Sequence, residues 1–249
     1  MSCALNLLRY LYHRPQHVII HLFSDLFSKR LEIDDMDNVL IVSPHPDDEI
    51  FGCANLINIL SKRGKRVSII YLSKGEASIP SDKCDRQELM LARKNLAIQA
   101  NSILGLDSRY LYFLDFPDGH FNNVSEQQIK KCRLLIEQVD PQYIFYPHPY
   151  DGSPDHETAT EILHQKVSDM EVTQYYYCVW LWHHMPLYKV FLLNYFGSYV
   201  LEGDQTLKSK AVDVYTSALS KNGDFYSGAL PKMFLKAIHW DKELYFAKK

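Results

Sequence analysis

The stretch Asn38-Val39-Leu40-Ile41-Val42-Ser43-Pro44-His45-Pro46-Asp47-Asp48-Glu49 decides how this chain is read. Val39 to Val42 is an unbroken aliphatic, largely β-branched run, the pattern of a strand buried on both faces of a parallel sheet. It stops at Pro44 and Pro46. An imidazole and three carboxylates, His45, Asp47, Asp48 and Glu49, crowd the same place, at the C-terminal end of a strand, where open α/β sheets bind their ligands. Ile50, Phe51, Ala54, Ile57 and Leu60 then recur at helical spacing, and Lys62-Arg63-Gly64 closes the run. His45 to Asp48 therefore occupies a strand-to-helix turn. Helix capping and the helix dipole account for acids here, but not for a histidine held between two prolines.

Outward from this turn, strand and helix alternate. Val67 to Leu72 reads as a second buried strand, and Leu89, Ala92, Leu96, Ala100 and Ile103 mark a helix that Gly105 stops. Tyr110 to Leu114 is a third strand, Ile129 to Val139 a third helix, and Tyr143 to Tyr146 a fourth strand. That strand runs into Pro147-His148-Pro149-Tyr150-Asp151-Gly152-Ser153-Pro154-Asp155-His156, where Ser153 and Pro154 open a helix burying Ala159, Ile162, Leu163 and Val167. The alternation predicts a single-domain α/β fold, Rossmann-like and doubly wound, with a mostly parallel sheet and its polar clusters on the C-terminal strand edge. The first turn lacks Gly-x-Gly, so no nicotinamide or flavin site is expected. Farther on, Gln174 to Leu181 reads as an aromatic strand, Lys208 to Leu219 and Leu230 to His239 as helices, and Lys242 to Ala247 as a closing strand.

The 249 residues suit one such domain, assigned to 34–249, preceded by an amphipathic arm over 1–33. The net charge of −3, without a Lys/Arg run, argues against nucleic acid as a partner. Five scattered cysteines fit a reducing compartment, and neither a membrane-length apolar run nor a secretory start is evident, so the expected location is cytoplasmic. In the arm, Ala4, Leu7, Leu8 and Leu11 form one apolar face, and Ile19, Phe23, Leu26 and Phe27 a second. Packing on the body or on a second subunit is the simpler role for it. A peripheral membrane contact is the sharper reading, for which the polar face is weakly basic. His17 and His21 are spaced as helix ligands but have no third ligand nearby and are expected at the surface.

His45-Pro46-Asp47-Asp48-Glu49 together with Pro154-Asp155-His156 resembles the paired signature of the LmbE-like, or PIG-L, zinc-dependent N-deacetylases. These remove acetyl groups from N-acetylglucosamine-type sugars. The resemblance implies a hydrolase that frees acetate and an amine from an N-acetylated amino sugar, in a glycan, glycolipid or secondary-metabolite precursor. It assigns His45, Asp48 and His156 to one zinc ion per chain, a His-Asp-His set that leaves an open position and that other divalent ions also suit. Asp47 is implied as general base. Asp155 would orient a neighbouring imidazole and Glu49 would support the turn. Asp118, in a Pro-Asp-Gly loop, and Arg93 resemble positions that hold the sugar.

One position departs from the family. Ser153 stands where the second motif usually begins with histidine, and a serine cannot be a protonated acid at neutral pH. Another imidazole is then expected as donor, His183 first and His148 second. A hydrolase acting on a non-sugar amide, or a non-catalytic sugar-binding protein on the same fold, are the competing functions.

Overall fold

The computed structural model describes residues 16–248. Its framework is five parallel strands, β2 (Asn38–Ser43), β3 (Arg66–Tyr71), β4 (Leu111–Phe113), β5 (Tyr143–Pro147) and β6 (Thr173–Tyr177), in the spatial order β4-β3-β2-β5-β6. Val39 to Val42 of β2 are fully buried. Their side chains alternate between two cores, as the period of a strand requires. Val39 and Ile41 face α2 (Asp48–Lys62) and α3 (Arg86–Ile103). Leu40 and Val42 face α4 (Glu126–Val139) and α5 (Pro154–Lys166). Each such side chain contributes about 1.5–3 kcal/mol, which fixes both register and face.

From β2 the chain steps outward to β3 and β4, and then returns to the other side of β2 for β5 and β6. The C-terminal ends of β2 and β5 therefore flank a topological switch point, where the diverging loops leave a crevice.

Helix α2 is broken at Cys53, whose φ of −139° is not helical. Gly52 lies so close to the Tyr177 ring that an added Cβ would come within 2.4 Å of it. Beyond the break the buried Glu243 carboxylate accepts the N–H groups of Asn55 and Leu56 at 2.8 and 3.1 Å.

The closing strand at Lys242–Ala247 (β8) pairs antiparallel with β6, as its place in the chain suggests. On its far edge lie two strands not legible in the sequence, β7 (Ser198–Glu202), antiparallel to β8, and β1 (Lys29–Arg30), parallel to β7. Residues 16–27 form helix α1. The expected arm boundary is not marked by a gap, because β1 joins the sheet and Leu31 and Ile33 enter the core. Its first apolar face, Ala4 to Leu11, lies outside the described residues. The expectation that His17 and His21 are surface residues is corrected: both are turned inward. His17 is buried, and the His21 ring stacks on Trp240 at 4.0 Å and meets Trp182 edge-on.

Candidate metal centre

The turn after β2 is held through its backbone carbonyls. Ser43 Oγ donates to the His45 carbonyl at 2.7 Å, and Ser73 Oγ and the Ser73 N–H both donate to the Pro44 carbonyl at 3.0 Å. Asp47 then takes φ 144°, ψ −28°, a conformation that side-chain-bearing residues rarely adopt and that costs about 1–3 kcal/mol. Glu49 sustains it. One Glu49 oxygen accepts the Asp47 N–H at 2.9 Å, and the other accepts Tyr71 Oη, Tyr215 Oη and Asn101 Nδ2. Asp47 occupies the N-cap position of α2, yet its side chain caps nothing. It points instead at Arg93, whose Nη1 lies 3.2 Å from Asp47 Oδ2.

Asp48 Oδ2 is the meeting point of the site. It accepts the His45 N–H at 2.9 Å, lies 3.1 Å from His45 Nδ1, and lies 3.1 Å from His156 Nε2. One ligand atom from each of His45, Asp48 and His156 falls within 4.8 Å of the others. His156 reaches the point from the first turn of α5, fully buried, with Nδ1 held by Asp151 Oδ2 at 2.7 Å. Asp151 is also fully buried, and accepts the N–H groups of Val179, Trp180 and Leu181.

These residues fit a divalent cation. His156 Nε2 has no hydrogen-bond partner despite its burial, because its approach to Asp48 does not have hydrogen-bond geometry. A buried imidazole nitrogen and a carboxylate oxygen aimed at one point call for a cation between them. Asp48, Asp118, Asp151 and Asp155 moreover each lie within 3.1 Å of His45 or His156, while Asp47 pairs with Arg93. A second grouping, His45, Asp118 and Asp155, uses the other nitrogen of the same ring. There His45 Nε2 lies 3.0 Å from Asp118 Oδ1 and 3.1 Å from Asp155 Oδ2, so it has an anchor whichever proton it carries.

The electrostatics follow burial and pairing. Burial pushes Asp47 up to about 7 against the pull of Arg93, and Asp48 also raises it. Burial alone would raise Asp48, but His156 and His45 bring it well below the usual carboxylate range. Burial would lower His156, yet Asp48 and Asp151 lift it to about 9.

A cavity of about 340 Å³ opens over this cluster. Of the residues singled out in the sequence, His45, Asp47, Asp48, Arg93, Asp118, Ser153 and Asp155 line it. His156 sits behind Asp48, and Glu49 behind Asp47. Asp155 does meet an imidazole, that of His45, while its oxygens also accept the Gly119 and Phe121 N–H groups. Ser153 occupies the N-cap position of α5, but its side chain makes no capping hydrogen bond.

The two donor candidates lie elsewhere. β6 ends at Tyr177, before the expected Leu181, and the chain turns so that Trp180 faces the cavity. His183 follows on a short helix, α6 (Leu181–His184), beside Trp180 and off the cavity wall. His148 is buried against Phe246 and Tyr176, its Nδ1 accepts the Tyr150 N–H, and burial lowers its pKa to about 4. Neither ring lines this cavity. Conversely, Asp151 and Trp180 belong to the site and were not singled out as such. Asp151 reads as a turn residue in Tyr-Asp-Gly, and Trp180 as one aromatic in a run of them. The Trp180 ring is stacked on Phe234 at 4.1 Å and, with Phe51 and Leu230, makes the cavity's apolar wall.

An open, doubly wound sheet with a His-Asp-His group at its switch point defines a Rossmann-like α/β domain able to hold a metal ion there. Comparison with known proteins makes this more specific. The family described as PIG-L, GlcNAc-PI de-N-acetylase, matches residues 40–167, and the chain belongs to that family. It is 30% identical over 145 residues to diacetylchitobiose deacetylase of Thermococcus kodakarensis, covering 55% of this chain and 53% of that protein. It is 30% identical over 139 residues to a probable N-acetyl-alpha-D-glucosaminyl L-malate deacetylase 2 of Bacillus subtilis, covering 50% of this chain and 58% of that protein. The chain thus spans only part of the length of the relatives it matches. The solved structure of N,N'-diacetylchitobiose deacetylase from Pyrococcus horikoshii shares the fold, with a TM-score of 0.61 and 18% identity, over 89% of this chain and 82% of that one.

Proposed function

We propose that this chain hydrolyses the N-acetyl amide of an amino sugar, releasing acetate and the free amine. His45, Asp48 and His156 would hold one divalent ion, zinc by the mixed nitrogen and oxygen donor set. The single observation that carries this reading is the convergence of these three ligand atoms within 4.8 Å, beside a carboxylate, Asp47, that is neither a ligand nor a cap. A purely structural metal site has no use for such a neighbour. When bound, the ion supplies Lewis-acid polarisation of the amide carbonyl and acidifies the hydrolytic water.

The side chains supply the rest. Asp47, on a fixed backbone with Arg93 3.2 Å away, takes the proton of the attacking water. Arg93 and Asp118 offer a cation and an acceptor to sugar hydroxyls on one side of the cavity, and Trp180 offers the ring a flat apolar face on the other. Ser153, on the same wall, can donate a hydrogen bond to the developing oxyanion but cannot protonate the amine. It is also the one feature that favours the competing reading, a protein that binds the sugar without cleaving it.

The test is to incubate the metal-loaded chain with diacetylchitobiose, N-acetylglucosaminyl malate and simple N-acetylglucosamine glycosides, measuring acetate and amine. Acetate release that chelation abolishes is expected. Binding of these sugars with no acetate from any of them would replace the hydrolase reading with the binding one.

A further inference from the structure

Helix α1 buries polar side chains beside apolar ones and leaves other apolar ones outside. Gln16, His17, Ile20 and Ser24 on its inner side are buried, with His21 stacked between them and the body. Gln16 Nε2 donates to the Met185 carbonyl. Its outer side carries Val18, Leu22 and Leu26 at successive turns, exposed by 58, 51 and 63%, with Phe27 beside them. A helix lying on a protein that meets only water turns its apolar stripe to the core. Here Ile20 is buried and Ile19 and Phe23, of the apolar face that the sequence marks, are half-buried, while Leu26 and Phe27 of that face stand outside with Val18 and Leu22.

The patch extends beyond α1. The Phe23 ring lies 5.8 Å from that of Phe191, and the Phe27 ring 5.0 Å from that of Phe196. Next to them Leu192 and Phe196 stand out with 77 and 73% of their surface exposed. Single exposed apolar residues are ordinary, but protruding ones from two elements that touch one another mark an interaction surface.

We infer that this face docks on an anionic lipid surface, with α1 lying in the plane of the headgroups. Charge selects that occupant. Lys29 and Arg30 follow α1 directly and are exposed, and Asp25, the acid of α1, is paired with Lys242. The first 30 residues hold four basic side chains and one acidic, +3, in a chain whose total is −3. Positive charge thus prevails in the segment of sequence that carries the protruding apolar side chains of α1, the combination that binds an anionic interface. The 15 residues ahead of Gln16 are similar to the patch in composition, with Leu5, Leu7, Leu8 and Leu11, two arginines and no acid. A second copy docked through the same face would bring Lys29 and Arg30 of each chain toward those of the other.

The experiment is co-sedimentation of the full chain with vesicles of phosphatidylcholine, alone or mixed with phosphatidylglycerol, alongside light scattering without lipid. The bound fraction should rise with phosphatidylglycerol and fall with salt. The triple variant Leu22→Ser, Leu26→Ser, Phe196→Ser should lose roughly tenfold or more in partitioning, while its thermal melt stays that of the parent because all three side chains are exposed. A parent that stays in the supernatant with phosphatidylglycerol vesicles overturns the inference, as does a triple variant that binds as the parent does. A parent dimer that the same substitutions split, without vesicle binding, overturns it in favour of a second copy.

Discussion

Asp151 Oδ2 lies 2.7 Å from His156 Nδ1, and the same carboxylate accepts the N–H groups of Val179, Trp180 and Leu181 at 2.9 to 3.0 Å. One buried anion therefore sets the ring that faces the ligand cluster and also folds the turn that brings Trp180 to the cavity. Asp151→Ala should weaken metal binding about 10–100-fold and lower the melting temperature of the metal-free chain. Asp151→Asn should fall between. A metal titration that gave the parent's affinity for Asp151→Ala would break the link.

The ligand set and the base should separate cleanly. His45→Ala, Asp48→Ala and His156→Ala are each expected to reduce metal content from about one ion per chain, measured by elemental analysis. Asp47→Asn should keep the ion and lose roughly 10²–10⁴ in turnover. Full metal content in all three ligand variants would remove the site.

Ser153 caps nothing with its side chain. Ser153→Ala should therefore leave thermal stability unchanged, where loss of a working cap costs about 1 kcal/mol. Ser153→His should raise acetate release and add an ionisation to its pH profile, since it places an imidazole on the cavity wall. A drop in melting temperature for Ser153→Ala would show that the hydroxyl serves the helix after all.

Trp180→Ala should raise KM for N-acetylated sugars while metal content is retained, because the ring lines the cavity without touching the ligand cluster. His183→Ala and His148→Ala, off that wall, are expected to change turnover less than Asp47→Asn does. An inactive, metal-replete His183→Ala would restore that histidine as the donor.

Acid should weaken the fold through two histidines. Burial lowers His21 and His148 to about 4, whereas in the unfolded chain each titrates near 6.5. Between those values the unfolded state binds more protons. Stability is thus complete above about pH 6.5 and lost as pH falls toward 4, by up to roughly 3 kcal/mol per histidine. Urea unfolding at several pH values tests this, and His21→Phe should flatten the dependence. A slope identical to the parent's would show that His21 does not contribute.

The parallel half of the sheet was legible because fully buried strands such as Val39–Val42 are unbroken apolar runs, and because their helices begin and end at turn residues. β1 and β7 were not. A two-residue strand has no pattern, and Ser198–Glu202 is only partly buried, so both are defined by what they pair with. The ligand set was legible because His45 and Asp48 share one turn. Asp151 and Trp180 escaped because their positions depend on where β6 stops, and the early stop at Tyr177 is also what moved His183 off the wall. In α1 the apolar spacing marked Ile19, Phe23, Leu26 and Phe27, of which only the last two are exposed, and it did not mark Val18 and Leu22 beside them.

The placement of β8 bears on the order in which this molecule can assemble. β7 and β1 reach the parallel strands only through it, since β8 lies between β7 and β6. During synthesis the strands β2 to β6 can pair while residues 29–30 wait, without a neighbour until residues 198–202 and without a link to those strands until residues 242–247 have emerged from the ribosome. So long a wait joins early sequence to late sequence across a large loop, the kind of contact that forms slowly. The nascent chain would meanwhile expose one open edge at β6, an invitation to mispairing that helper proteins would have to cover.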